Sequence, residues 1–585
     1  MSVAHAQGLT KGLGPTDIAT YTTGPALPAD DALSRLPEVL SDGDVVLYRR
    51  ILSAQTDGDF ATADKLIDAL GDRRLMGHVL AERYLSKGYK TTYREAHAWL
   101  TAYRGQAETA RMVRLASGKK KAGDPALPKG VAASAGFSRS GDEDMSWRDK
   151  PYRSSASGAA ALEAKVTKAL RAGKVEDVAS ILAASGVEDP ILLDQQRGRA
   201  ALRAFQAGKD ALAVSLGQAA AKSADKVPDA AWFGGLAAWR QGRRAEAAQL
   251  FEAVAASTNG SSWTNAAGAF WAGRAYKAVG KKDKSDQMFA RAAESPHSLH
   301  GLLARRSLGW DMGLDWELPS LKAREVGQLK DYPSVARALA LVQVGRREIA
   351  EAELRAALPK LPEDLALSML TLAERGGMPG LAMSVAGGLL REKSQRFDAG
   401  LYPIPPWAPT PGFAVNPALV YAIAKVESHF DPTVSNASGA TGLMQLMPGT
   451  AKAMTKMGRP VRFDGPDDLY DPALSLTLGQ RLLHTLLTHK SVKGDLIKLT
   501  IAYNGGIGNM EKWVQQAKAG RDPLLLIEAI PSAETRNFTA RSLHNYFLYQ
   551  MRLGQQTDGL TQLAAGKSPT YVPGQYAPQE LASIR

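Results

Sequence analysis

Glu427 is the acid in this chain best placed to move a proton. It lies near the end of an apolar segment, Asn416-Pro-Ala-Leu-Val-Tyr-Ala-Ile-Ala-Lys-Val-Glu427-Ser428-His429-Phe430. Asn416 suits a helix N-cap and Pro417 the first helical position, so the spacing predicts a helix starting there. Leu419, Ile423, Val426 and Phe430 recur at three- and four-residue intervals and form a core-facing stripe. Glu427 follows Ile423 by four and lies on or beside that stripe. A carboxyl held against apolar surface has its charged form disfavoured, so it keeps its proton toward neutral pH and can act as a general acid. A helix-end glutamate with its head in water fits the position alone better.

Cleavage of a glycosidic bond needs such an acid, because the leaving alkoxide is poor and positive charge develops on the sugar. Ordinary glycosidases need a second carboxylate across the sugar. Asp431 is too near in sequence to face Glu427, and Asp431-Pro432 reads as a helix stop. Asp464, Asp467, Asp468 and Asp471 fall in a polar loop, with Asp471-Pro472 starting the next helix. None has a clear claim to be the partner, and Glu427 stands alone.

Three more fragments follow in order. Ser435 to Thr441 is a polar loop leading into Gly442-Leu-Met444-Gln445-Leu-Met-Pro448. Ala502-Tyr503-Asn504-Gly505-Gly506 and Ile530-Pro531-Ser-Ala-Glu534-Thr535-Arg536 come later. Together with Glu427-Ser428 they keep one order over about 120 residues, which single chance matches do not. In that order and spacing the chain resembles the soluble lytic murein transglycosylases of the large helical-ring type (family 1), whose catalytic domain is goose-lysozyme-like. The resemblance implies a peptidoglycan lytic transglycosylase that cleaves the β-1,4 bond between N-acetylmuramic acid and N-acetylglucosamine. One glutamate, matching Glu427, protonates the leaving oxygen and then acts as base on the muramic 6-hydroxyl, giving a 1,6-anhydromuramoyl product. The acetamido group of the sugar replaces a protein nucleophile.

The resemblance also assigns companions. Ser428 hydrogen-bonds the acid or the acetamido group, or else caps backbone at the helix end. Met444 and Gln445 line the sugar cleft, while Leu446 and Met447 are expected in the core. Tyr503 points its hydroxyl at the acid, Asn504 and the glycines turn the chain beside substrate, and Glu534 binds sugar or stem peptide. Arg536 pairs with a carboxylate for structural reasons. Phe538 stands where the family usually has Tyr, and Gly506 and Gly508 stand where Ala and Pro are usual.

The elements that must position these residues are helical throughout. Trp232-Phe233-x-Gly235 recurs as Phe270-Trp271-x-Gly273, Gly242 as Gly280, and Phe251 as Phe289, at a 38-residue interval. The unit reads helix, glycine turn, helix, with weaker echoes at Gly58, Gly173, Gly208 and Gly345. Such a unit cannot bury its own face, so neighbours must stack. The fold class expected is all-α: an α-superhelical array of tetratricopeptide-like helix pairs followed by a lysozyme-like, mainly α catalytic domain.

Composition sets the boundaries. Residues 1–30 are expected to be disordered, 31–116 helical, and 117–157, rich in Gly, Pro and Ser, a linker or long loop. Residues 158–395 form the array, and 396–416 a connector in a stretch with six prolines from Leu401 to Pro417. Residues 417–554 form the catalytic domain and 555–585 an extended tail.

With 585 residues the chain exceeds one core. The absence of cysteine excludes disulfides and thiolate metal sites. A net charge of +13 favours an anionic partner. Peptidoglycan, with its stem-peptide carboxylates, fits; no basic stripe interleaved with aromatics favours nucleic acid. No run of eighteen apolar residues predicts a transmembrane segment. Neither cofactor nor metal is implied: His297 and His300 are three apart on a predicted helix without a third ligand, and His484 and His489 do not share a face. Ser2-Val-Ala4-His5-Ala6-Gln7 has the small-x-small form of a cleavage site, which together with the resemblance implies a periplasmic protein whose targeting segment is missing here. Other cell-wall enzymes are conceivable partners of the superhelix. Two readings stay open beside the leading one: a hydrolytic muramidase, and a non-catalytic cell-wall-binding scaffold. The intact set of Glu427, Gln445, Tyr503 and Glu534 argues against the scaffold.

Overall fold

A computed structural model describes residues 36–128 and 152–573, apart from 359, 360, 363 and 394. The segment expected to be disordered (1–30) and most of the expected linker lie outside the described residues. Every regular element among the described residues is helical, with three isolated bridges and no extended strand. No described helix is long and apolar enough to cross a membrane. The chain divides into two compact units. Of the described residues, one comprises 152–314 and 407–573, the other 36–128 and 315–406.

In the first unit, paired helices run from Ala159–Arg171 to Leu299–Leu308. The 38-residue repeat has a steric reason. A Cβ on Gly235 would come within 2.7 Å of the Phe251 ring, and one on Gly273 within 2.9 Å of Phe289. Each glycine thus lets the following helix press an aromatic ring onto its backbone, and the large rings fill the core. Trp271, fully buried, meets Trp232, Trp239 and Phe251 at ring-centre distances of 6.4, 5.4 and 5.5 Å. The turn glycines of the repeat and of its weaker echoes all have positive φ, between 72° and 83°, where a side chain would be strained.

The same unit contains the C-terminal helices, riveted to the array by one carboxylate. Asp522 Oδ1 accepts the amides of Leu524 and Leu525 and caps the Pro523–Glu528 helix. Its Oδ2 accepts the Trp239 indole N–H and the Arg274 guanidinium, both at 2.9 Å. Arg240 donates to the Ala517 carbonyl at 3.0 Å.

The second unit is held by polar contacts between distant segments. The Gln343 side chain accepts the amides of Val39 and Leu40, both at 3.0 Å. Buried Glu353 accepts the Ala107 amide and pairs with Arg337, and His78 bonds Glu108 at 2.8 Å.

Four segments differ from expectation. The stretch 158–395 is not one body, since its helices after Leu314 group with the N-terminal segment. The described part of the tail does not run extended: Asp558–Ala564 is a helix with Leu560 and Leu563 fully buried, and Tyr571 donates its amide to the Gly494 carbonyl. Two leucines three apart suffice to dock so short an element, a signal that the surrounding Gly and Pro masked. Within the connector, Asp398–Leu401 makes one helical turn. At the edges of the expected linker, the Thr109–Lys119 helix continues past residue 117, and Tyr152 bonds Asp189.

Candidate active site

The Pro417–Ser428 helix is buried along most of its length and begins as its residues dictate: Asn416 Oδ1 accepts the Ala418 amide at 2.9 Å and Pro417 follows. It packs against the long Ala533–Arg552 helix, with Tyr421 edge-on to Tyr549. The chain leaves it abruptly, because His429 and Phe430 both have positive φ, 52° and 59°. Five non-glycine residues among those described have positive φ, and these two and Gln445 lie at this site. Backbone held in sparsely populated conformations clusters where surrounding structure must aim side chains.

Glu427, half-buried at the end of that helix, has its carboxyl pushed up to about 8. Burial is the main cause, the negative charge of Glu534 adds to it, and Arg541 opposes it. At neutral pH this carboxyl carries its proton. Tyr503, in the Leu496–Gly505 helix, donates its hydroxyl to the Met444 carbonyl at 2.8 Å. Its phenol is held far above the usual range by burial and then by the nearby Glu427 charge. Phe538 stacks on the Tyr503 ring, nearly parallel at 6.0 Å, so the residue without a hydroxyl acts as a platform for the one that has it.

The loop carrying Gln445 is packed tightly. A Cβ on Gly442, whose φ is 78°, would lie 2.0 Å from the Leu469 carbonyl oxygen, so only glycine fits. The Gln445 amide donates to the carbonyls of Val434 and Gly442, each at 3.0 Å, and ties the loop together. Met444 is fully buried, and a Cβ on Gly479 would clash with its side chain. Its thioether therefore belongs to the core and its carbonyl to the site. Met447, expected in the core, is instead 45% exposed. The reversal follows from the left-handed turn at Gln445, which breaks simple alternation along the loop. Ser428 is buried and donates to the Ala424 carbonyl at 2.9 Å, the backbone-bonding alternative.

Asn504 accepts a hydrogen bond from Thr535 at 2.6 Å and joins the Tyr503 turn to the helix bearing Glu534. Glu534 is exposed in the first turn of that helix, yet its charge reaches Glu427. Arg536 donates to the Ile530 carbonyl at 2.8 Å and neighbours the Glu528 charge. Arg541 was not singled out from sequence. The signal available was spacing: Glu534, Phe538 and Arg541 fall four and three apart on one helix face. His297 lies outside the Leu299–Leu308 helix, whose cap is Ser298, so the two histidines do not share a helix face. Among the described residues no cluster of His, Asp or Glu is arranged to hold a metal ion.

Residues 408–525 match the family described as Transglycosylase SLT domain. Glu427, Gln445 and Tyr503 lie inside that range; Glu534 and Arg541 lie beyond it. The soluble lytic murein transglycosylases of Salmonella typhimurium and of Escherichia coli K12 are each 31% identical over 147 residues, 25% of this chain and 22% of theirs. The matched stretch thus spans about a fifth of the length of these relatives. The crystal structure of the 70 kDa soluble lytic transglycosylase from Escherichia coli aligns over 92% of this chain and 100% of that one, at TM-score 0.51 and 15% identity. That likeness is one of fold: a helical array joined to a lysozyme-like helical domain. Residues 408–525 thus carry the likeness to a Transglycosylase SLT domain.

Proposed function

We propose that this protein cleaves peptidoglycan glycan strands between N-acetylmuramic acid and N-acetylglucosamine and leaves a 1,6-anhydromuramoyl end. The observation that carries the reading is Glu427, a carboxyl that keeps its proton to about pH 8 inside the matched domain. In the first step Glu427 gives that proton to the glycosidic oxygen, the bond from C1 to oxygen breaks, and the sugar acetamido group supports the cation. The carboxylate left behind sits where burial disfavours its charge, so it takes the proton of the muramic 6-hydroxyl as that oxygen bonds to C1. The acid is restored and no water is consumed. The Tyr503 hydroxyl, held by the Met444 carbonyl, orients the acid. Glu534 and Asn504 meet sugar or stem peptide, and Gln445 shapes the wall of the cleft from its loop. Such a reaction takes place where the wall is, in the periplasm.

Purified sacculi test this directly. The protein should release soluble muropeptides and Glu427→Gln should release almost none; equal release by the two proteins overturns the reading. A hydrolytic muramidase is the second reading, favoured by one observation: the charge of Glu534 reaches Glu427, so a second carboxylate faces the site and could activate water. Reducing ends in place of anhydro ends would support it.

A further inference from the structure

In the array, a cavity of about 300 Å³ opens between the Ala159–Arg171, Pro190–Gln206 and Asp229–Arg240 helices. It shares no residue with the candidate active site. Arg171 lines it from the last turn of the first helix. Arg199 and Arg203 line it from one face of the second helix, four residues apart. Asp229, at the start of the third helix, is the one acidic residue of the lining. Gly198 lets these helices close up, since a Cβ on it would come within 2.9 Å of the Asp229 Cβ.

Other arginines of these helices are neutralised: Arg197 pairs with Asp194 and Arg240 with Asp210. Among the described residues, Arg171, Arg199 and Arg203 form no ion pair. Arg199 is nevertheless fixed in place, donating to Gln196 Oε1 and Thr167 Oγ1, both at 2.7 Å. Thr167 gives its own proton to the Glu163 carbonyl at 2.6 Å, so it meets the guanidinium as an acceptor. Arg203 donates to the neutral Gln206 side chain at 3.3 Å. Such neutral acceptors aim the guanidinium forks and leave their charge uncompensated.

Three guanidinium groups against one carboxylate leave a surplus of two positive charges around the cavity. Like charges gathered in this way repel one another, and an anion that enters relieves the repulsion. A carboxylate brings one negative charge. A phosphate dianion brings two, and its several acceptor oxygens match the paired N–H groups of guanidinium forks. We propose that this cavity binds a phosphate dianion, either free or as the exposed monoester of a lipid headgroup.

Calorimetric titration of the full chain with inorganic phosphate should give a Kd of about 1 mM or tighter, with acetate bound about tenfold more weakly or less. Arg171 and Arg203 are exposed, so Arg171→Gln and Arg203→Gln should leave denaturant unfolding unchanged while each weakens phosphate binding about tenfold. Arg199→Gln should abolish it. No phosphate binding, equal binding of acetate, or unchanged binding by the Arg171→Gln/Arg203→Gln double variant overturns the site. Flotation with phosphatidylcholine vesicles, with and without phosphatidic acid, distinguishes the two sources. Capture by the phosphatidic acid vesicles that the double variant loses assigns the site to a lipid headgroup. No capture, while inorganic phosphate binds, assigns it to free phosphate. Capture that the double variant retains overturns the lipid assignment.

Discussion

Replacing Glu427 with Gln should make the molecule more stable as it becomes inactive, and only at high pH. A carboxyl moved from 4.5 to about 8 disfavours its ionised form by about 5 kcal/mol. Its helix end is half-buried beside the cleft, where solvent screens part of this, so about 2–3 kcal/mol is the expected share. The sign follows from proton counting. Below 4.5 the group is protonated in both folded and unfolded chains, and Gln and Glu are equivalent. Between 4.5 and about 8 the unfolded chain loses its proton while the folded one keeps it, so the wild type loses stability as pH rises. Above about 8 the penalty is complete. Denaturant unfolding of both proteins, with hydrogen exchange along the Pro417–Ser428 helix as the local readout, should give equal stabilities at about pH 4 and a Gln advantage of about 2–3 kcal/mol at about pH 9. A constant difference across that range, or a wild type favoured at high pH, would refute a buried, proton-bearing Glu427. Activity should hold through that window and fall tenfold per pH unit above about 8. Glu534→Gln should move that limb to lower pH, and Arg541→Gln to higher pH.

Other consequences concern the scaffold and the companion hydroxyl. Tyr503→Phe removes the bond to the Met444 carbonyl and should lower kcat by about tenfold or more with KM little changed, read by muropeptide release. Gly235→Ala forces a methyl to within 2.7 Å of the Phe251 ring and should cost about 1–3 kcal/mol in denaturant unfolding. Asp522→Ala removes a helix cap and leaves Arg274 buried without its carboxylate, and should cost about 3–5 kcal/mol. A second-site test is simple: Asp522→Asn keeps the cap and should recover part of that loss.

Much of this was legible before any coordinates, for physical reasons that differ by residue. The Pro417–Ser428 helix announces itself through Asn416 and Pro417, and the repeat through glycines whose only reason is the ring pressed on them. That Glu427 lies against apolar surface is readable from the stripe that runs beside it. Met444 is buried and Met447 exposed, against the expectation of a cleft-lining Met444 and a core Met447, because the chain takes a left-handed turn at Gln445 that no pattern of residue types encodes. Arg541 was missed because its effect on Glu427 depends on how two helices pack. The division at Leu314 escaped notice because it is set by contacts such as Ala107 with Glu353, far apart in the chain.

The most direct test is mass spectrometry of the products released from purified sacculi. If a lone Glu427 serves as acid and then base, the wild type releases muropeptides ending in 1,6-anhydromuramic acid, each lighter by one water than its hydrolytic counterpart, and Glu427→Gln releases neither. Products ending in reducing muramic acid would contradict it.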